Sequence, residues 1–307
     1  MHNKSKLQIM NSISILGCGW LGLEAAKFFI EKGIYVKGST TSKEKIAPLK
    51  KEGIKPYLIE LNEENINNFS SNSKDYFKDF FETDICLINI PPPREDKQFY
   101  KTQMEFIATH LLENQNATKK VIFISSTSIY KDYNAKLNKK VIESDVQKLE
   151  EANRKDIFEA EHVFVEASQV DLQVCTLRAG GLMGGKRVAG KYFAGKKDLN
   201  TGNIPVNFIH RKDLINIISV IFEKMNKKTL FIEENGNKYE VFNVVCPIHP
   251  IRQKVYQKNA IDYNFKSPTF LNDEQTLDYK IINSEKLQKK LGYEFIYPNP
   301  LYFPIES

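Results

Sequence analysis

The 307-residue chain lacks any apolar run long enough to cross a bilayer, which takes about 20 residues as a helix. Its first eleven residues are polar and lack the apolar core of a secretory signal. A cytoplasmic location is therefore expected, with no membrane partner. Cysteine is scarce: Cys18, Cys86, Cys175 and Cys246 are widely spaced, form no CxxC pair, and read as buried free thiols. With five scattered histidines, the chain offers no metal-ligand spacing. Basic runs with interleaved aromatics are missing too. The net charge of +6 is spread over lysines interspersed with acidic residues, so nucleic acid is not an expected partner. There is no internal repeat and no low-complexity tract.

What is present is an alternation of short apolar segments with amphipathic ones. Strands are expected at residues 13–16, 34–37, 57–61, 84–90, 120–125, 172–177 and 241–245. Helices are expected at 23–32, with Gly33 as its C-cap, and at 98–113, 154–168, 211–224, 253–260 and 284–291. β-branched strands between helices mean a parallel sheet covered on both faces. The fold class is α/β: a Rossmann-type doubly wound parallel sheet with a smaller C-terminal substrate lobe. The expected domains are 11–178 plus 207–245 for the sheet domain and 179–206 plus 246–307 for the lobe. The lobe would lie over the C-terminal edge of the sheet, where open α/β sheets bind ligands.

Between the first strand and the first helix stand Gly17, Cys18, Gly19, Trp20, Leu21 and Gly22. The spacing Gly-x-Gly-x-x-Gly suits a dinucleotide. The first glycine turns the chain, the second lets backbone approach a pyrophosphate, and the third lets helix and strand pack closely. The helix N-terminus adds N–H groups and the positive end of a dipole. After the second strand come Ser39, Thr40, Thr41, Ser42 and Lys43, with no carboxylate before Glu44. Hydroxyls and a lysine favour a 2′-phosphate, hence NADP with NAD as the lesser option. The same residues also read as a solvated turn and helix cap. Ile90, Pro91, Pro92 and Ser125, at the ends of the fourth and fifth strands, complete the expected cofactor contacts.

At the fifth strand, Phe123 to Tyr130 (Phe-Ile-Ser-Ser-Thr-Ser-Ile-Tyr) resembles the strand-end motif of the extended short-chain dehydrogenases, the NAD-dependent epimerase/dehydratase family. Leu177 to Gly184 and Ile209 to Leu214 are similar to that family's later motifs, in the right order. The glycine spacing and the Ile-Pro-Pro after the fourth strand place the chain nearer an atypical subgroup. The resemblance implies that Ser126 binds a substrate oxygen, although a strand-end serine also satisfies turn N–H groups. It implies a Tyr-x-x-x-Lys pair in the next helix. Aligning Ala160-Glu161 puts Asn153 and Ile157 there instead, and neither can ionise as a tyrosine base with its lysine would. Tyr130 and Tyr133, helped by Lys155, are the candidate substitutes, against a packing role for Tyr130 and simple exposure for Tyr133. The literal Tyr192-x-x-x-Lys196 lies past the sixth strand and reads as a coincidence. Arg178, Gly180, Gly181, Asn207 and His210 are the expected substrate contacts, with a structural hydrogen-bonding role open for His210.

Two functions compete. One is an oxidoreductase or isomerase acting on a hydroxyl-bearing or nucleotide-linked small molecule. The other is a non-catalytic NADP-binding sensor or scaffold. A homodimer is left open. A different Rossmann dehydrogenase would need a helical C-terminal domain, which the loop-rich tail does not suggest.

Overall fold

A computed structural model describes residues 12–69, 71–137, 139–231, 238–271 and 277–304; the polar leader, residues 1–11, lies outside them. The strands are β1 (Ser12–Leu16), β2 (Tyr35–Thr40), β3 (Lys55–Leu58), β4 (Ile85–Ile88), β5 (Lys120–Ser126), β6 (Lys140–Val141), β7 (Gln173–Ala179), β8 (Gly181–Met183), β9 (Phe208–His210), β10 (Tyr239–Val244) and β11 (Ile281–Ile282). The helices are α1 (Gly22–Glu31), α2 (Ile46–Lys51), α3 (Glu63–Asn67), α4 (Ser71–Phe81), α5 (Phe99–Glu113), α6 (Lys155–Val170), α7 (Arg211–Asn226), α8 (Arg252–Asp262) and α9 (Glu285–Leu291).

Seven strands form one sheet in the order β10–β7–β5–β4–β1–β2–β3. The pairs β1–β2, β2–β3, β1–β4 and β4–β5 run parallel. This is the Rossmann-type α/β fold expected from the sequence. Strand order reverses between β1 and β4, which opens a crevice beyond the carboxyl ends of those strands. By contacts the chain divides into two units, Met1–Ile124 with Glu159–Thr176 and Ile218–Glu240, and Ser125–Phe158 with Leu177–Ile217 and Val241–Ser307.

In the first unit the central strands are apolar on both faces: Ile13, Ile15, Ile85, Leu87 and Ile88 are fully buried, as strands covered by helices must be. From α5, Met104, Ile107, Ala108 and Leu111 form an i, i+3, i+4, i+7 stripe packed among Phe80, Phe81, Phe123 and Phe164. Lys119 closes that helix by donating from Nζ to the Leu111 and Leu112 carbonyls at 2.6 and 3.1 Å. Gly33, just past α1, has φ 77° and fulfils its expected capping role.

Two features depart from the sequence reading. β2 continues to Thr40, beyond the expected stop at 37, because Gly38, Ser39 and Thr40 are buried and paired with Pro56, Tyr57 and Leu58. Helices α2, α3 and α4 lie within residues 46–81 around β3, where the helix-cap reading of Ser39–Ser42 anticipated only the first. α4 carries Asp79, whose carboxylate accepts from Lys37, Lys55 and Tyr57. Lys37 stands inside β2 with only 5% exposure and also donates to the main-chain oxygens of Asp79 and Glu82.

The Asp79 cluster makes stability depend on acid. Partial burial would lift the Asp79 carboxyl, but hydrogen bonds from Lys55, Tyr57 and Lys37 outweigh it and hold the group well below the usual carboxylate range. A depressed folded value means the stabilisation is complete above the unfolded value near pH ~4 and is lost as pH falls through the folded one. Asp79→Asn is expected to lower stability at pH 7 by about 2 kcal/mol, an amount already limited by the exposed side of the carboxylate. Urea midpoints measured from pH 7 down to pH 2 should fall less steeply below pH 4 in the variant than in the parent. Parallel curves would remove Asp79 from the account.

In the second unit β8 pairs with β9 and β6 with β11, both parallel. Separate apolar clusters gather around Tyr130 and Ile282, around Met183 and Phe303, and around Val255 and Tyr256.

Candidate functional site

The loop after β1 is shaped by what its glycines omit. Gly17 has φ 101°, and a Cβ there would lie 2.7 Å from the Asn89 carbonyl oxygen. A Cβ on Gly22 would lie 2.2 Å from the Gly17 carbonyl oxygen, so α1 can begin this close to the strand end only with glycine. Gly19 is the opposite case: nothing stands within 4 Å of its Cβ position.

Three hydrogen bonds brace the turn. Gly17 N–H donates to Ser39 Oγ at 2.8 Å, Cys18 N–H to the Ser39 carbonyl at 2.8 Å, and Asn89 Nδ2 to the Gly17 carbonyl at 3.1 Å. Cys18 fills the space left by Gly38, and burial pushes its thiol up to about 12. It is therefore an uncharged wall, without the thiolate a nucleophile needs.

The N-cap of α1 is Leu21, which makes no side-chain cap. Helices ordinarily place Ser, Thr, Asp or Asn there to satisfy the first N–H groups. Within that turn the Leu23 N–H is taken by the Gly19 carbonyl at 2.9 Å, and with no side-chain cap at Leu21 no side chain competes with a phosphate oxygen for the helix end. Gly19 supplies the open approach, so the loop fits a diphosphate.

A cavity of about 540 Å³ opens at this loop. Its walls are residues 16–19 of the loop, then Ser39, Thr40, Thr41 and Lys45, the segment 59–63 after β3, Asn89, Ile90, Pro91 and Pro93 after β4, and Asp96, Phe99 and Gln103 leading into α5. The structure thus gathers most of the expected cofactor contacts on one cavity. Several have other tasks than expected. Ser39 is 2% exposed and holds the loop. Thr40 Oγ1 accepts the Ser42 N–H at 3.1 Å, and the Ser42 hydroxyl donates to Glu44, holding that carboxyl below its ordinary value. The cavity wall takes Lys45 where Lys43 was expected, and Pro93 where Pro92 was. Asn89 was missed altogether; its signal was a polar side chain ending a fully buried strand just before the prolines.

In the second unit the motif residues are mostly committed to one another. Ser126 Oγ accepts the Ser128 N–H at 3.1 Å and shares a 2.9 Å hydrogen bond with the Ser128 hydroxyl, which is the turn-stabilising role left open for it. Asn153 donates from its main chain to the Ile129 carbonyl at 2.8 Å and from Nδ2 to the Ser128 carbonyl at 3.2 Å. Ile157 is buried in the cluster around Tyr130, and Lys155 is exposed. The Tyr130 hydroxyl is fully buried, donates to Asn243 Oδ1 at 2.7 Å and accepts from Arg178 at 2.7 Å. Arg178 also donates to the Glu143 carbonyl at 2.9 Å. That geometry commits Tyr130 and Arg178 to a buried polar network.

Tyr133 is half-buried and exchanges two main-chain hydrogen bonds with Tyr279. Lys139 lies 4.3 Å from its ring centroid. Gly180 and Gly181 permit close contact with the Asn207 carbonyl and the Phe208 ring. Asn207 clips the chain at Lys280 and Ile282 through hydrogen bonds of 2.9 Å each. His210 is fully buried, its Nδ1 accepting the Lys212 N–H at 3.3 Å and its Nε2 bonding the Pro304 carbonyl at 3.3 Å. It takes the structural role left open for it. Tyr192 is 66% exposed, as befits a coincidental motif. Among the described residues no cluster of His, Cys, Asp or Glu is arranged to hold a metal, and no helix is long and apolar enough to cross a membrane.

Residues 11–167, just over half of the chain, match the model of the UDP-glucose/GDP-mannose dehydrogenase family, NAD binding domain. Over 302 residues the chain is 26% identical to protein YeeZ of Escherichia coli strain K12, covering 97% of this chain and 100% of that one. This bears out the atypical subgroup read from the glycine loop and the prolines. Among solved structures, the UDP-Glc/GlcNAc 4-epimerase of Campylobacter jejuni superposes with a TM-score of 0.72 at 15% identity, covering 95% of this chain and 96% of that one. MoeE5 in complex with UDP-glucose and NAD gives 0.69 at 14% identity, covering 94% and 96%. At these identities the likeness is one of fold.

Proposed function

The chain belongs to the UDP-glucose/GDP-mannose dehydrogenase family by its NAD-binding domain, and on that premise we propose that it binds a nicotinamide dinucleotide on the Gly17–Gly22 loop and acts as an oxidoreductase or isomerase on a hydroxyl-bearing, nucleotide-linked substrate. The observation that carries the cofactor half is the pairing of an α1 N-terminus without a side-chain cap at Leu21 with the open space over Gly19. A diphosphate needs donors and room, and these two features supply both. When bound, the cofactor would supply a hydride acceptor or donor; the chain's part is to hold its phosphates and shape its pocket. The substrate class is supported by the fold shared with proteins whose complexes and names involve UDP-sugars.

NADP is the cofactor we favour. Thr41 and Lys45 offer a hydroxyl and a cation on the cavity wall, and the first carboxylate after β2, Glu44, is engaged by Ser42. Lys45→Ala is expected to weaken NADPH binding about tenfold, the usual worth of one exposed charge-assisted contact to phosphate, and to leave NADH binding within about twofold. Trp20, the single tryptophan, lies in the loop and reports either titration by fluorescence. If NADH binds the parent protein as tightly as NADPH, the preference is wrong.

Asn153 and Ile157, at the positions where the extended family has its Tyr and Lys, favour a second reading: a non-catalytic NADP-binding sensor or scaffold. Incubation with NADPH or NADP and a panel of sugar nucleotides, followed at the nicotinamide absorbance and by chromatography of the sugars, separates the two. Turnover of any sugar supports the enzyme. Saturable cofactor binding with every sugar unchanged supports the sensor.

A further inference from the structure

A second cavity, of about 440 Å³, lies among β3, α3, α4 and α5. It shares only Ile59, Glu60 and Leu61 with the cavity at the glycine loop. Four aromatic rings line it, Phe69, Tyr76, Phe77 and Phe106, and none of them lines the other cavity. Its size and its apolar lining are those of a small-molecule site.

The walls are braced. Phe69 stands nearly perpendicular to Phe77 and to Phe106, with centroids 5.5 and 4.9 Å away. His110 packs on all three rings at 4.2 to 5.1 Å. The Tyr76 hydroxyl accepts the Leu58 N–H at 2.7 Å, and its ring packs on Tyr57 at 5.0 Å. On the shared wall, Asn65 Nδ2 donates to the Glu60 carbonyl at 3.0 Å, and Gln103 Nε2 to the Leu61 carbonyl at 2.6 Å. These contacts hold the rings and the segment after β3 in place, so a ligand meets a preformed space.

The charge on that wall has one sign. Glu60 carries it, and among the described residues no lysine, arginine or histidine lines the cavity. Aromatic faces carry the negative side of a quadrupole and attract cations, as a carboxylate does. An anionic ligand would be repelled by Glu60, and a neutral one would gain burial alone. We propose that this cavity binds an organic cation, an ammonium carried on a flat apolar body, with the four rings around it and Glu60 balancing its charge.

The test is a calorimetric titration of the full-length protein with three indoles of similar size: tryptamine, which is cationic, tryptophol, which is neutral, and indole-3-acetate, which is anionic. Tryptamine is expected to bind about tenfold more tightly than tryptophol, with indole-3-acetate the weakest. Ile66→Trp, at a half-buried residue of α3 that lines this cavity and not the other, fills the space with its own ring and should abolish tryptamine binding. Glu60→Gln, at an exposed residue, should bring tryptamine to within about threefold of tryptophol, and it keeps the test decisive if Ile66→Trp fails to fold. The proposal is overturned if tryptamine gives no heat, or if the parent binds tryptophol or indole-3-acetate as tightly. It is overturned equally by an undiminished tryptamine preference in Glu60→Gln. Unchanged tryptamine binding in Ile66→Trp would put the amine elsewhere on the protein and remove this cavity as its site.

Discussion

Alanine at Gly22 is expected to abolish dinucleotide binding and to destabilise the protein by about 3 kcal/mol, the upper range for forcing a methyl into a packed site. Alanine at Gly19 should weaken binding by about a hundredfold while leaving stability within about 0.5 kcal/mol. The two glycines are three residues apart and open in opposite directions. At Gly22 a methyl would stand 2.2 Å from a backbone oxygen, so α1 must move away from the strand end and carry its N–H groups with it. At Gly19 a methyl meets nothing of the protein within 4 Å, and its φ is not positive, so alanine fits the fold. The space it fills is the space the proposed pyrophosphate would enter. Urea unfolding and Trp20 titration on both variants give the result. A Gly19→Ala protein that binds NADH and NADPH normally would mean that the phosphates lie elsewhere.

The glycine spacing made that loop readable: Gly17 and Gly22 each meet a backbone demand that no other residue meets, and Gly19 leaves the space over it open. The central strands were legible because runs such as Ile85–Ile88 and Val121–Phe123 have no polar face to offer solvent. Where the reading fell short, tertiary context overrode local chemistry. Gly38, Ser39 and Thr40 look like a turn, yet they extend β2 because Cys18 and Ile54 occupy the space over Gly38 and Ser39 is needed under Gly17. Lys37 resembles a surface residue until Asp79, forty-two positions later, is brought beside it. α4 combines polar positions with a Phe-rich end whose partners, Phe69, Phe106 and His110, come from other elements.

Site residues divide along the same line. The loop proposed to hold the phosphates could be read from a local motif. The cavity's other walls, Lys45, Glu60, Asn89 and Gln103, come from separate segments and carry no signature spacing. In the second unit the motif from Phe123 to Tyr130 and the Arg178 turn were legible as motifs but not as tasks. A motif can persist because it packs. Tyr130, Asn243, Arg178 and Glu143 form a buried polar network in which the hydroxyl proton is already spent on Asn243. Sequence shows the tyrosine and cannot show where its proton points.

The His-x-x-Asp segment is the clearest instance, and it yields the largest expected loss of stability. Asp213, in the first turn of α7, is fully buried. Its carboxylate accepts the Tyr293 hydroxyl at 2.6 Å, the Ile296 N–H at 2.8 Å and the Tyr297 N–H at 3.0 Å. Burial first, and then that bond to Asp213, drive the Tyr293 hydroxyl far above its ordinary value, so it stays protonated and donates. His210 packs on Tyr297 with centroids 4.2 Å apart. The segment therefore anchors residues 293–304. Asp213→Ala leaves a buried hydroxyl and two part-buried main-chain donors without their acceptor, and is expected to cost about 4 kcal/mol. Asp213→Asn keeps the shape and one acceptor oxygen but turns an amine toward a main-chain N–H, for about 2 kcal/mol. Tyr293→Phe alone should cost about 1 kcal/mol. Adding it to Asp213→Ala should cost almost nothing more, because the bond it removes is already gone. Urea unfolding of the four variants closes this cycle. Additive losses would show that Asp213 and Tyr293 act independently, and the anchor would have to be sought in the aromatic packing of His210, Tyr297 and Phe303 instead.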